Sequence, residues 1–379
     1  MTTFFPYEQL TWPDVAALPR HTPLVLPLGG GYALAKVAEG LGNPPQIGLL
    51  PSLPFGWRGS GLAVAEPLLG QLVANLLDGL RDDGFTRVLA LTPQGVDLGL
   101  GAARMALPHR SQVSPAPPLP ADHDRDKVVV IPIGHTEQHG YHLPLSVDTE
   151  IIGAIGEKTA VSSPHLATCL PVFPYGVSTH RPSFAGTLNC GGRAFEDFWL
   201  AVVDVLAGRG FDKIYLISGH GGSCSFLVNV VKYAGERHRR IFCATTWLHT
   251  SGHIATPVVQ QTRLSARGGM GHAGELETAM MLHLRPDLVQ MAKVVDETDF
   301  ISSESYYMDW VEGGALVANP PWEDDTATGA YGAGSMATAV NGKLWLETAV
   351  LEKVAHVQEI HEQQQQREAR RATAFQSTN

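Results

Sequence analysis

Residues 128–150, VVVIPIGHTEQHGYHLPLSVDTE, constrain this chain more than any other stretch. Val128-Val129-Val130-Ile131 is a short, wholly apolar, β-branched run bounded by Pro132 and Gly134, the pattern of a buried strand. The strand then delivers His135, Glu137, His139, His142 and Asp148 within 14 residues. Imidazole and carboxylate together are the donor set of zinc, manganese and iron. A loop at the end of a buried strand is where a rigid sheet holds such donors in place. Sixteen histidines in the chain make one or two neighbours ordinary, but not this density.

The rest of the chain offers a sheet for that strand. Its 379 residues suffice for two domains or one large α/β domain, and 44% hydrophobic with 17% charged residues supply an ordinary core. After residue 128, apolar strand patterns alternate with helical ones: a helix at 149–160, a strand at 169–173, a helix at 193–208, a strand at 213–217, a helix at 224–236 and a strand at 241–246. Such alternation predicts an α/β fold with a mostly parallel sheet flanked by helices. In that architecture sites gather at the carboxyl ends of strands. The turn at His220 and the loop at 135–142 both fall there, so they can converge.

The first 113 residues read as a smaller α/β unit. Leu24 to Leu28 is a strand followed by Gly29-Gly30-Gly31. A strand at Gln46 to Leu50, an amphipathic helix through Leu69, Leu72, Val73, Leu76, Leu77 and Leu80, and a strand at Val88 to Leu91 follow. The glycine run lacks the spacing of a nucleotide-binding loop. Gly84-Phe85-Thr86-Arg87 with the next strand and turn repeats Gly210-Phe211-Asp212-Lys213 with its strand and turn, 126 residues on. The likeness predicts a degenerate internal copy, with Tyr32, Leu34 and Gln94 where the second half has Glu137, His139 and His220. Residues 114–126, opening SPAPPLP, form a Pro-rich linker between this unit and a domain at 127–362. The polar segment 363–379 reads as a flexible tail.

A net charge of −10 argues against nucleic acid or an anionic membrane surface as partner, and no apolar run is long enough to span a bilayer. Four cysteines without a CxxC pair, and no signal peptide pattern, point to free thiols in the cytoplasm.

Three segments carry a family resemblance: Gly134-His135-Thr136-Glu137-Gln138-His139-Gly140 with His142-Leu143-Pro144-Leu145 and Asp148; Ser218-Gly219-His220-Gly221-Gly222-Ser223; and Gly271-His272-Ala273-Gly274-Glu275-Leu276-Glu277-Thr278. In order and spacing, from about residue 127 to 360, they resemble the motifs of the creatininase (creatinine amidohydrolase) family. The resemblance implies a metal-binding catalytic domain in which Glu137, His139 and His220 are ligands and Asp148 bridges two ions. It implies two divalent cations, zinc first, with manganese or iron at one site.

Several positions depart from the family pattern. His135 replaces a small residue, Tyr141 a Pro, Ala185 a Pro and Ser223 an Asn, while Gly222 stands where some members carry a carboxylate. Glu275 is the candidate for the missing acid because His272 and Glu275, at i and i+3, share a helix face, with Glu277 next in line. His272 is the candidate for proton transfer, and His180 and Ser223 are candidates for substrate contact.

The resemblance implies a homo-oligomeric hydrolase that directs a metal-activated water at a non-peptide amide C–N bond, cyclic or open, of a small molecule. Trimming of a modified peptide is the alternative within enzymes, and a non-catalytic metal-binding scaffold the alternative outside them. A serine hydrolase is disfavoured by the lack of GxSxG.

Overall fold

The structure, a computed structural model, describes residues 1–108, 116–179 and 183–377. Apolar runs become strands and the segments between them helices. Strands β1 (Thr3–Pro6), β2 (Leu24–Pro27), β3 (Gln46–Leu49), β4 (Val88–Pro93) and β5 (Arg104–Leu107) form a parallel sheet in the order β1-β3-β2-β4-β5. Helices α1 (Trp12–Ala17), α2 (Leu34–Gly40) and α3 (Glu66–Asp82) connect them. Strands β6 (Val128–Ile133), β7 (Ala167–Cys169), β8 (Lys213–Ser218) and β9 (Phe242–Thr245) form a second parallel sheet, β7-β6-β8-β9. Here the crossovers are α4 (Val147–Ser162), α5 (Gly192–Gly208) and α6 (Gly221–Arg237). Helices α7 (Ala255–Thr262), α8 (Glu275–Leu284) and α9 (Ala339–Ser377) follow, with α9 packed against α4, α7 and α8. The expected α/β architecture is therefore present. Among the described residues no helix is long and apolar enough to cross a membrane.

Strand β2 pairs with β3 and β4 in the same register in which β6 pairs with β7 and β8. Leu24 faces Gly48 and Val88, and Val129 faces Thr168 and Ile214, giving offsets of 105 (129−24), 120 (168−48) and 126 (214−88). The same offsets relate the isolated bridges Leu28–Leu53 and Ile133–Phe173 beyond the strand ends. They also relate the hydrogen bonds that Gly29 and Gly134 donate to Leu53 O and Phe173 O, at 2.9 and 2.8 Å.

The two units do not have separate cores. Period-two alternation sends Leu24, Leu26 and Leu28 from the first sheet, and Val129, Ile131 and Ile133 from the second, into one apolar cluster. Helices α3 and α5 fill it with Leu69, Leu72 and Leu76 against Phe195, Phe198 and Trp199. The opposite faces are closed by α2 on the first sheet and by α4, α8 and α9 on the second. The two sheets thus share one apolar cluster between them. Residues 116 and 119 donate to Gly59 O and Gly61 O, which lays the linker along the first unit.

The end of the chain differs from the expected tail. Helix α9 continues to Ser377 because its polar residues find partners. Buried Gln364 donates to Asp212 Oδ2 at 2.9 Å and Arg240 O at 2.6 Å, and the Arg367 guanidinium lies 5.0 Å from the Phe242 ring centre.

The shared core makes a prediction. Phe198, fully buried between the units, should cost about 3–5 kcal/mol when changed to Ala. Both sheets should still unfold in one transition, read by circular dichroism and tryptophan fluorescence in urea. Two separated transitions would show that the units are stabilised independently.

Candidate metal centre

The ligands leave the sheet where β6 and β8 lie side by side. Gly219 N donates to Ile133 O at 2.8 Å, holding the two turns together at the carboxyl ends of their strands. The close approach needs glycine: a Cβ at Gly219 would stand 2.4 Å from Asp148 O, and one at Gly222 2.4 Å from His220 Nε2 and 2.5 Å from Val177 O. The backbone at 222 therefore has no room for the acid that some similar sequences carry there.

Glu137, His139, Asp148, His220, His272 and Glu277 converge in a buried cradle. Asp148 is central, with Oδ2 3.4 Å from His220 Nδ1 and Oδ1 3.3 Å from His139 Nε2. Glu137 Oε1 stands 2.9 Å from His220 Nδ1 and 3.5 Å from His272 Nδ1. Glu277 Oε2 stands 3.7 Å from His139 Nε2.

Backbone carbonyls orient the rings. His220 Nε2–H points to Val177 O at 2.9 Å and His139 Nδ1–H to Glu137 O at 3.1 Å, which leaves the lone pairs of Nδ1 and Nε2 facing the centre. His135 has the opposite arrangement. Its Nδ1 accepts the Gly176 N–H at 2.8 Å, so the neutral ring carries its proton on Nε2, toward Glu137 Oε2 at 3.8 Å. That Nε2 is buried without a hydrogen-bond partner, beside Glu137 and His220. His142 is turned away, with Nε2 on Thr278 Oγ1 at 2.9 Å.

Electrostatics demand a cation here. Glu137, Asp148 and Glu277 are buried, and among the described residues none is paired with Lys or Arg. Burial acts to raise the Asp148 carboxyl, but His139 and His220 hold it well below the usual range. Burial also pulls His139 down, yet the carboxylates of Asp148, Glu277 and Glu137 lift it to about 9. Burial, with Asp148 close by, raises Glu277 to about 7 against the pull of His139. Burial and then the charge on His139 push His272 well below its ordinary value, so it stays neutral. Glu137 Oε1, His139 Nε2 and Asp148 Oδ2 are buried without a hydrogen-bond partner. Orphaned acceptors facing one point at metal-ligand spacing fit divalent cations.

The structure brings Glu277, not Glu275, to the cradle. The i, i+3 face argument fails because the helix has not begun at His272. Helix α8 starts at Glu275 after Gly274, and Ala273 has φ of 53°. Glu275 instead accepts Leu264 N at 2.9 Å and Ser265 N at 2.7 Å, tying the segment after α7 to α8. Glu277 turns back to accept Ala273 N at 2.6 Å, in the manner of a capping acid, and that turn brings it to the cradle. Trp310 Nε1, which the sequence did not single out, donates to its other oxygen at 3.2 Å.

Ser223 Oγ is buried and accepts Val177 N at 3.2 Å, which holds the strand-end turn. His180 lies outside the described residues.

The first unit braces this centre. Leu10 O accepts Leu145 N at 2.9 Å, and Leu145 O in turn accepts the N–H of Glu137 at 3.1 Å. Trp12 packs on Tyr141 and Phe184, both with centroids 5.4 Å away, and donates to Thr328 O at 2.8 Å. The next carbonyl, Gly329 O, accepts Gln138 Nε2 at 2.8 Å, and Gln138 O accepts His272 Nε2–H at 2.7 Å.

Comparison with known proteins agrees with the geometry. A parallel α/β sheet with donor groups gathered at its carboxyl edge is suited to holding metal ions. The family model described as "Creatinine amidohydrolase" matches residues 116–357, well over half of the chain, which therefore belongs to the creatininase family. A "Mycofactocin precursor peptide peptidase" of Mycobacterium ulcerans (strain Agy99) is 33% identical over 172 residues, covering 42% of this chain and 60% of the relative. The "Creatinine amidohydrolase" of Pseudomonas putida is 29% identical over 187 residues, 45% of this chain and 69% of that one. A solved structure described as "Creatininase Mn" superposes with a TM-score of 0.53 at 24% identity, over 63% of this chain and 92% of that one. The match thus spans less than two thirds of the mycobacterial relative.

Two predictions test the cradle. Asp148→Ala should lose both ions, His139→Ala and Glu277→Gln one each, and Glu275→Gln none, as metal per chain from elemental analysis. Full metal in Asp148→Ala would end its bridging role. Trp12→Ala should weaken metal retention against a competing chelator about tenfold, within the usual effect of outer partners on a metal site, while Trp12→Phe stays near the parent.

Proposed function

We propose that this chain is a metal-dependent amidohydrolase that cleaves a non-peptide amide C–N bond of a small molecule. The observation that carries this reading is the sharing of Asp148 between two donor sets, Glu137 with His220 and His139 with Glu277. Two divalent ions so held supply a polarised carbonyl and a water acidic enough to attack at neutral pH; zinc is the first choice, with manganese or iron at one site.

The chain's own residues do the rest. Gln138 O anchors His272 through Nε2–H, so Nδ1 is left open on the side of Glu137. A neutral imidazole placed there takes a proton at Nδ1 and returns it to the departing nitrogen. Trp310 fixes Glu277 and, with Trp247 6.5 Å away, flanks the turn at Gly221. Burial of the whole cradle excludes bulk water and strengthens each charge interaction.

Trimming of a modified peptide is the second reading. The mycobacterial peptidase favours it, and so does a cavity of about 590 Å³ lined by Ile301, Tyr306, Asn319 and Asp324. Asp324 shares a short turn with Trp322, whose ring lies 4.9 Å from His272, which sets this cavity one side chain away from the centre.

The first unit is an inactive copy of the second in this reading. The shared register supports it, with Tyr32, Leu34 and Gln94 standing where ligands stand in the second half. Homo-oligomeric assembly and a cytoplasmic setting complete the proposal; the four free cysteines fit a reducing compartment.

The test is a screen of cyclic amides, formamides and short peptides with zinc- or manganese-loaded protein. Hydrolysis should stop with chelator, return with metal, and be absent in Asp148→Ala. Fully loaded protein that binds metal yet turns over none of these classes would favour a scaffold role instead.

A further inference from the structure

His135 lies fully buried just past the carboxyl end of β6, beside the donor pair Glu137 and His220. The protein holds it from two sides. Thr149 Oγ1, next to Asp148 on α4, donates to His135 O at 3.0 Å, and the Gly176 N–H donates to the ring at Nδ1 at 2.8 Å. Gly176 is fixed in turn. Its carbonyl accepts Cys190 N at 3.0 Å, and a Cβ there would stand 2.5 Å from Ser223 Oγ. A backbone N–H opposite Nδ1 decides the tautomer, because a proton on Nδ1 would face a second donor. The ring proton therefore sits on Nε2. A nitrogen that keeps its proton has no lone pair to give to a metal ion.

That Nε2–H has no acceptor in reach. It is buried without a partner, and Glu137 Oε2 is 3.8 Å away, beyond hydrogen-bond distance. His220 does not take it, since the two rings lie against one another with centroids 4.4 Å apart and 34° between their planes. A buried donor left unpaired is costly, so its presence calls for an explanation. Glu137 supplies one. Its Oε1 stands 2.9 Å from His220 Nδ1 and 3.5 Å from His272 Nδ1, among the cradle nitrogens, which leaves Oε2 as the oxygen turned to His135. Carboxylates that hold a metal are themselves hydrogen-bonded by outer partners, and those partners fix their orientation.

We propose that His135 is a positioning residue for Glu137. When Oε1 binds an ion, the Nε2–H of His135 holds Oε2, so that Glu137 binds through one oxygen. This role rests on Glu137 and His220 holding an ion together, as proposed above.

Competition for zinc between the full chain and a chelator tests it, in variants that divide the two hydrogen bonds of the ring. Asn keeps an acceptor near the place of Nδ1 but has no donor at that of Nε2, whereas Gln brings an amide N–H to the place of Nε2. His135→Asn should hold one zinc ion about 10–100-fold more weakly and the other as the parent does. His135→Gln should hold both nearly as tightly as the parent. In a Glu277→Gln background, which keeps the ion of Glu137 and His220, His135→Asn should weaken that remaining ion by the same factor. Unchanged zinc affinity in His135→Asn, in a parent that holds two ions, would overturn the positioning role and leave the metal centre standing. Equal losses in the Asn and Gln variants would show that the imidazole itself is needed, as for a ligand, and would overturn it as well. A parent that holds no zinc would sink the metal centre and this role together. Metal-free His135→Asn should melt with the parent; a lower melting temperature would make the ring a structural element and overturn the role.

Discussion

Three carboxylates buried around one point, without a lysine or arginine to pair them, are the constraint on which the second unit depends. Glu137, Asp148 and Glu277 are nearly inaccessible to solvent, and like charges so placed repel strongly in a medium of low polarity. Protonated histidines relieve part of that cost, which is why His139 is held near 9. Divalent cations relieve it far better because they meet every orphaned oxygen at once. The surroundings follow from this need. Strand ends place the ligands, carbonyls fix the ring tautomers, and glycines let β6, α4 and β8 approach within contact.

The strands and most residues of the cradle are legible in the sequence because their signals are local. A β-branched run between Pro and Gly needs no tertiary information to be a buried strand, and Glu137, His139, Asp148 and His220 sit in segments a few residues long. Glu277 was ranked below Glu275 for a reason equally physical. A choice between two acids two residues apart depends on the residue at which the helix starts, and element boundaries are the least readable feature of a sequence. Once α8 begins at Glu275, its carboxylate is committed to Leu264 and Ser265, and only Glu277 can turn inward. The parts played by Trp12, Gln138 and Trp310 are not legible in sequence because each acts on a residue more than a hundred, or more than thirty, positions away.

Helix α9 illustrates the same limit from the other side. A run such as EQQQQREARR has no apolar face by itself, so composition suggests a tail exposed to solvent. Gln364 and Arg367 nevertheless find Asp212, Arg240 and the Phe242 ring, all on or beside β8 and β9. Polar helices hold when a neighbour offers unpaired acceptors at the right spacing, and that neighbour is invisible in a local window.

The relation of the two units turns on what a metal site costs to maintain. A cradle of buried acids is tolerable only while a cation stabilises it, so a copy that loses its ligands must also lose the charges or refill the space. The first unit, which we propose is such a copy, meets that condition. At the offset of 105, Leu34 corresponds to His139, and Tyr32 satisfies its hydroxyl on the strand-end carbonyls of Leu28 and Leu91. Helix α3 of the first unit packs with α5 of the second in the apolar cluster that both sheets share. Its arm keeps a connection to the chemistry next door, because Leu10 O and the Trp12 indole reach the loop that carries Glu137 and the segment that positions Gln138 and His272. The unit without ligands thus acts as an internal support.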